Sequence, residues 1–364
     1  MVVGAGEGVM KRILAVAAFL FAGTAAAAPC ITAAPACTEM VGPAGSPGRT
    51  LVYRSHPLET RNTAITRGIV IVHGLGRDAH AAYRAALAAA FLAGALDDAV
   101  VIAPRFASNE GGACTDELAP GELGWHCQLR NDTWRTGGTA VGSEVTSFDI
   151  VDEILRRLAR KQLFPNLKAL VVAGHSAGGQ FASRYAMTSQ VHDQLPVKPS
   201  YLVANPSSYT YLDDQRPLWS ALPAGLAAAA PGYVLAPPAN PPAAFAPYRD
   251  AQNCSGYDTW PYGLQKRNGY AARLGEEQLK KQLAARPTTY LLGELDTLPL
   301  YGFDSSCAAM AQGPTRFARG LAYARHVAEK AGAQHRTVVV AACGHSARCV
   351  FTADNVLPLL FPKE

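Results

Sequence analysis

Charge is scarce in this chain. Asp, Glu, Lys and Arg make up 17% of its 364 residues, where soluble globular proteins carry about 25%. With 49% hydrophobic residues, that scarcity excludes a disordered chain and suits one large domain able to bury a substantial core. The basic residues are scattered among acids and form no Lys/Arg stripe, so a nucleic-acid groove is excluded. There is no CxxC pair and no HExxH helix to supply a tetrahedral zinc site. No apolar run reaches the ~20 residues that a membrane-spanning helix needs.

The apolar stretch nearest to such a helix lies at the start. Lys11 and Arg12 precede a run from Ile13 to Gly23, followed by the small residues Thr24 to Ala28, the pattern of a secretory signal. A signal peptide is therefore expected over residues 1–28, with the mature chain beginning near Pro29 and translation starting at Met1 or at Met10. A membrane anchor is the competing reading, disfavoured by the shortness of the run, and Cys30 after Pro29 makes a poor lipidation site. Cleavage would remove two basic residues and one acidic one and lower the net charge from +5. The protein is expected to be secreted or periplasmic.

Eight cysteines, an even number, lie beyond residue 28, and in an exported chain they are expected to form disulfides. Sequence does not fix their connectivity. One economical arrangement pairs Cys30 with Cys37, Cys114 with Cys127 and Cys343 with Cys349, leaving Cys254 for Cys307.

Continuous apolar runs recur at Gly68 to Val72, Ala99 to Ala103, Ala169 to Ala173, Tyr201 to Ala204, Thr289 to Leu292 and Thr337 to Ala341. Strands buried on both faces look like this, whereas half-exposed antiparallel strands alternate. Helical patterns fall between them, as at 148–161, where Ile150, Val151, Ile154, Leu155 and Leu158 share a face. The alternation predicts an α/β fold with a doubly wound, mostly parallel sheet. A single domain is expected over 29–364, with insertions at about 105–143 and 207–275. Both follow strand ends, where they could wall or roof a site; the Pro/Ala run at 221–247 could equally be a passive linker.

From Ala169 a buried run leads into Gly174-His175-Ser176-Ala177-Gly178, a G-x-S-x-G motif followed by a helical pattern. No other serine in the chain has glycine at both i−2 and i+2. A serine on such a strand-to-helix turn has strained dihedrals, and side chains in place of its flanking glycines would collide with neighbouring elements. On these residues, over about 65–350, the sequence resembles the α/β-hydrolase superfamily. The resemblance implies a nucleophile at Ser176 and a triad in the chain order Ser, Asp or Glu, His. It also implies an oxyanion hole from the backbone amides of Ala177 and of Leu75, the latter after the strand ending in His73-Gly74. His73 itself is expected to stabilise that loop.

His345, directly after the last apolar run, matches the position of the base; His192, His326 and His335 are the competitors. Asp296, just past the penultimate run, matches the acid, with Glu294 and Asp304 as alternatives and a turn cap as its bland role. Trp125, Trp134, Tyr209, Tyr211, Trp219, Trp260 and Tyr262 could line a substrate pocket, although aromatic residues under long insertions are more often local core. The expected reaction is hydrolysis of a small-molecule or polymeric ester by acyl transfer, in the manner of a carboxylesterase or lipase, with no metal or organic cofactor. The alternatives are a peptidase or amidase with the same triad and a catalytically silent binding protein. The sequence does not indicate the oligomeric state.

Overall fold

The computed structural model describes residues 1, 2, 4, 28–127, 133–219, 242 and 244–363. Most of the expected signal segment and of the Pro/Ala run lie outside the described residues.

Within that frame the chain forms β1 (Thr38–Val41), β2 (Thr50–Arg54), β3 (Arg67–Val72), α1 (Ala79–Leu92), β4 (Ala99–Pro104), α2 (Ser147–Leu158), β5 (Ala169–His175), α3 (Ala177–Thr188) and β6 (Pro199–Ala204). A small pair follows, β7 (Gln215–Leu218) with β8 (Ala244–Pro247), and then β9 (Thr288–Gly293) and β10 (Arg336–Val340). The main sheet has the order β1-β2-β4-β3-β5-β6-β9-β10. All neighbours from β4 to β10 are parallel, and β1 and β2 extend one edge antiparallel. This is the expected doubly wound sheet.

Alternation along each strand divides the core. Val70, Val72, Leu170 and Val172 pack with Ile150, Ile154 and Phe181 of α2 and α3. Ile69, Ile71, Val171 and Ala173 pack with Tyr83 and Ala86 of α1 and with Phe351. Helices on both faces explain why these strands read as unbroken apolar runs. The edge strands β1 and β2 escaped the sequence reading because they are short and half-buried and mix polar with apolar residues, as in Thr-Glu-Met-Val.

α2 begins where a reciprocal cap is available: Thr146 accepts from the Asp149 amide while the Asp149 carboxylate accepts from the Thr146 amide. Such a cap contributes about 1 kcal/mol. The segments 105–143 and 207–275, expected as insertions, follow the carboxyl ends of β4 and β6, the same ends of the parallel strands at which the motif serine follows β5. Four disulfides join Cys30–Cys37, Cys114–Cys127, Cys254–Cys307 and Cys343–Cys349, one of the arrangements open to the sequence. No helix among the described residues is long and apolar enough to cross a membrane.

Candidate active site

β5 and α3 are joined by a single residue, Ser176, held at φ 59° and ψ −119°. A non-glycine residue in this region is strained, and the strain persists because the surroundings leave no alternative. A Cβ on Gly174 would lie 2.2 Å from the Gly178 carbonyl oxygen, and one on Gly178 would lie 2.1 Å from that of Val72. The close approach of helix to strands therefore requires glycine on both sides of the serine, and the turn lifts Ser176 above the sheet.

The structure brings Ser176, His345 and Asp296 together. His345 Nε2 lies 2.9 Å from Ser176 Oγ, and His345 Nδ1 lies 2.7 Å from Asp296 Oδ2. An ionised carboxylate can only accept, so Nδ1 carries the proton and Nε2 is left to accept from the serine hydroxyl. Asp296 is 2% exposed. Its second oxygen faces Arg316 Nη1 at 3.5 Å, and Arg316 is itself fixed by Ser207 Oγ at 2.8 Å and the Leu300 carbonyl at 2.7 Å. Burial lowers the Arg316 pKa, against the pull of Asp296.

The sequence alternatives point elsewhere. Glu294 accepts from the Ala342 amide at 3.0 Å, and Asp304 accepts from the Tyr262 hydroxyl at 2.7 Å. His192 pairs with the Tyr201 hydroxyl, His335 with the Tyr290 hydroxyl, and His326 accepts from the Leu212 amide.

Above the serine, the amide of Ala177 opens α3, and that of Leu75 lies in the loop after β3. Neither donates to an acceptor among the described residues. His73 supports the second loop: Nδ1 donates to the Gly74 carbonyl at 2.8 Å and Nε2 accepts from the Phe106 amide at 3.0 Å. Its ring also lies 4.5 Å from that of Trp134. Burial pushes its pKa down to about 4, so His73 is neutral and does not compete as a base. His175, whose ring is 4.5 Å from that of His345, is likewise lowered, first by burial and then by His345 and Arg316.

Sequence reasoning missed Arg316 and Asn205. Asn205 Oδ1 accepts from the Gly293 amide at 2.8 Å and Nδ2 donates to the Gly344 carbonyl at 3.4 Å, tying the ends of β6 and β9 to the loop of His345. A polar residue right after the apolar end of β6 was the available signal. Nothing in the sequence marked Arg316. Of the seven candidate aromatic residues, Trp125, Trp134, Trp260, Tyr209 and Tyr211 are buried core. Trp219 borders a separate cavity, and Tyr262 lines the one beside Ser176. That cavity, about 540 Å³, also contains Arg135, Gln180 and Asp304. Another of about 560 Å³ lies on the side of Leu75, Tyr301 and His345.

The fold agrees with comparison to known proteins. The chain belongs to the alpha/beta hydrolase family, whose model matches residues 69–356. No curated protein matches the sequence. Among solved structures, the chain is similar to LpqC, a poly(3-hydroxybutyrate) depolymerase from Bordetella parapertussis, at 22% identity over 87% of this chain and 85% of that one, with a TM-score of 0.56. It is also similar to poly(aspartic acid) hydrolase-1 from Sphingomonas sp. KT-1, at 20% identity over 89% and 97% of the two chains, with a TM-score of 0.54. At these identities the likeness speaks for the fold alone.

Proposed function

We propose that this chain is an exported serine hydrolase that cleaves a carboxylic ester through an acyl-enzyme on Ser176. Residues 1–28 serve as the signal peptide, and 29–364 form one catalytic domain. His345 takes the proton of Ser176 as Oγ attacks the ester carbonyl. The tetrahedral oxyanion is received by the amides of Leu75 and Ala177. His345 then gives the proton to the departing alcohol, and a water molecule releases the acid by the same steps in reverse. Asp296 holds the His345 tautomer and stabilises the imidazolium, and two fixed amides aimed at the oxyanion contribute about 3 kcal/mol each.

The observation that carries this reading is the continuous hydrogen-bond chain from Ser176 Oγ through His345 to Asp296 Oδ2. The four disulfides suit an oxidising compartment. Of the two structural neighbours, one is named for a polyester, in keeping with this chemistry, and the other for poly(aspartic acid), whose backbone is joined by amide bonds, in keeping with the amidase alternative.

The test is turnover of p-nitrophenyl esters from acetate to palmitate by the oxidised mature chain and by Ser176→Ala. Loss of activity by about 10⁶ is expected if the three residues act as a unit. Near-normal hydrolysis by a folded Ser176→Ala protein would overturn the assignment, and peptide turnover without ester turnover would move the reading to an amidase.

A further inference from the structure

The cavity beside Ser176 is lined by a cation that forms no ion pair among the described residues. Arg135 lies in the 3-10 turn Trp134–Thr136, whose other two residues are buried. The Trp134 ring stacks on Phe106 at 5.6 Å, the Thr136 hydroxyl accepts from the Thr133 amide at 3.0 Å and donates to the Thr133 carbonyl at 2.8 Å, and Gly137 ends the turn at φ 73°. The backbone of Arg135 is thus fixed, and its carbonyl accepts from Arg184 Nη1 at 3.3 Å. Its guanidinium borders the cavity yet makes no hydrogen bond or ion pair with any described residue.

The carboxylate in the same cavity answers it only at a distance: burial lowers the Arg135 pKa, and Tyr262 and Asp304 pull it back only in part. Asp304 already accepts from the Tyr262 hydroxyl and the Ser306 amide, and no ion pair joins it to Arg135. Behind Arg135, the buried Arg184 donates only to neutral acceptors, the Arg135 and Pro261 carbonyls and Ser208 Oγ, and its Nε has no partner. Burial and then the charge of Arg135 lower the Arg184 pKa to about 9. Two guanidinium groups that share only the distant pull of one carboxylate are costly to bury, and a bound anion would offset that cost.

We infer that the substrate is an ester bearing a carboxylate, and that Arg135 receives this group while Ser176 attacks the ester carbonyl. The inference rests on the proposed acyl-transfer role of Ser176. A guanidinium presents two parallel N–H donors that match a carboxylate, whereas an apolar acyl chain in this recess would leave those donors unanswered.

Two matched ester pairs test it. One places the acid on the acyl side, p-nitrophenyl hydrogen adipate against p-nitrophenyl heptanoate. The other places it on the leaving group, p-carboxyphenyl against p-(methoxycarbonyl)phenyl heptanoate. In one pair the acidic member is expected to have a kcat/KM higher by about tenfold to a hundredfold, the worth of a charge-assisted contact. Arg135→Gln is expected to collapse that ratio towards one, chiefly through KM, and Arg135→Lys to retain part of it. Equal turnover within both pairs by the wild type, or an unchanged preference in Arg135→Gln, would overturn the inference. Full activity in Ser176→Ala would instead overturn the acyl-enzyme reading on which it rests. If the wild type turns over none of the four esters, calorimetric titration of ethyl hydrogen adipate into Ser176→Ala, with and without Arg135→Gln, decides: binding that depends on Arg135 supports the inference, and its absence ends it.

Discussion

On one flank of Ser176, built from the ends of the parallel strands, every charge has a fixed answer. Asp296 meets His345 on one oxygen and Arg316 on the other, and Arg316 is held in turn by Ser207 and two carbonyls. On the flank of the cavity, to which the first insertion brings Arg135 and α3 brings Arg184, neither guanidinium has an ion pair among the described residues, and the one carboxylate there, Asp304, acts on both only at a distance. The difference separates groups whose geometry must be complete before substrate arrives from groups that a substrate would complete. Preorganised dipoles belong to the first kind; a specificity contact that costs stability in the empty protein belongs to the second.

The two carboxylates that line these flanks give the largest contrast. Asp296→Asn is expected to lower kcat by about 10⁴, because the amide favours the wrong histidine tautomer while leaving the geometry in place. Asp304→Asn keeps an acceptor for the Tyr262 hydroxyl and is expected to change kcat less than about tenfold, the scale of one neutral hydrogen bond. Steady-state kinetics on a neutral ester decides. Similar losses from both variants would mean that the cavity flank takes part in the chemistry, and the contrast would fail.

The disulfides divide along the same line. Cys254–Cys307 spans 53 residues and pins the second insertion, whereas Cys343–Cys349 spans 6 and encloses His345. In the chain-entropy account the long bridge contributes about 4 kcal/mol and the short one about 2. Replacing Cys254 and Cys307 by alanine is therefore expected to lower the urea midpoint more, and replacing Cys343 and Cys349 to lower kcat more at a smaller cost in stability. Denaturation and kinetics on the same two proteins check both halves, and a reversed order in either would show that the flanks do not divide stability from positioning in this way.

What the sequence revealed follows the same division. β3, β5 and α3, with the elbow at Ser176, were legible because local rules and the global fold agree there: unbroken apolar runs, and glycines that the packing leaves no room to replace. His345 and Asp296 followed from chain order once the family resemblance was in hand. Arg316 and Arg135 were not legible, because each acts through residues far away in sequence and neither position carries a local signature. The same holds for the aromatic residues of the insertions, most of which proved to be core. A tryptophan in a Gly-rich segment looks alike whether it packs inward, as Trp134 does, or lines a cavity.

The last expected effect concerns acid, where buried groups act with opposite sign. His73, under the Leu75 loop, is buried and held near a pKa of about 4. Its protonated form is disfavoured in the fold, so its stabilisation is whole above the unfolded value of about 6.5 and is lost as the pH falls from there through 4, a loss of about 3 kcal/mol. His326, lowered to about 3 by burial, adds in the same direction. Asp152 runs the other way. Burial raises it to about 6, although the Tyr185 and Tyr270 hydroxyls donate to it at 2.6 and 2.7 Å, the latter from the second insertion. Its contribution is whole below the unfolded value near 4 and is lost as the pH rises through 6, again roughly 3 kcal/mol. In the wild type the Asp152 gain on acidification therefore offsets part of the histidine loss between pH 6.5 and 4. Asp152→Asn removes the offset, so its unfolding free energy should fall with acidification more steeply than that of the wild type, by roughly 3 kcal/mol across that window. Urea denaturation at several pH values gives both slopes, and it is the difference in slope, not the starting stability of the variant, that carries the result. Parallel curves would mean that Asp152 is ionised alike in the folded and unfolded chain, and that the tyrosine pair compensates fully for its burial.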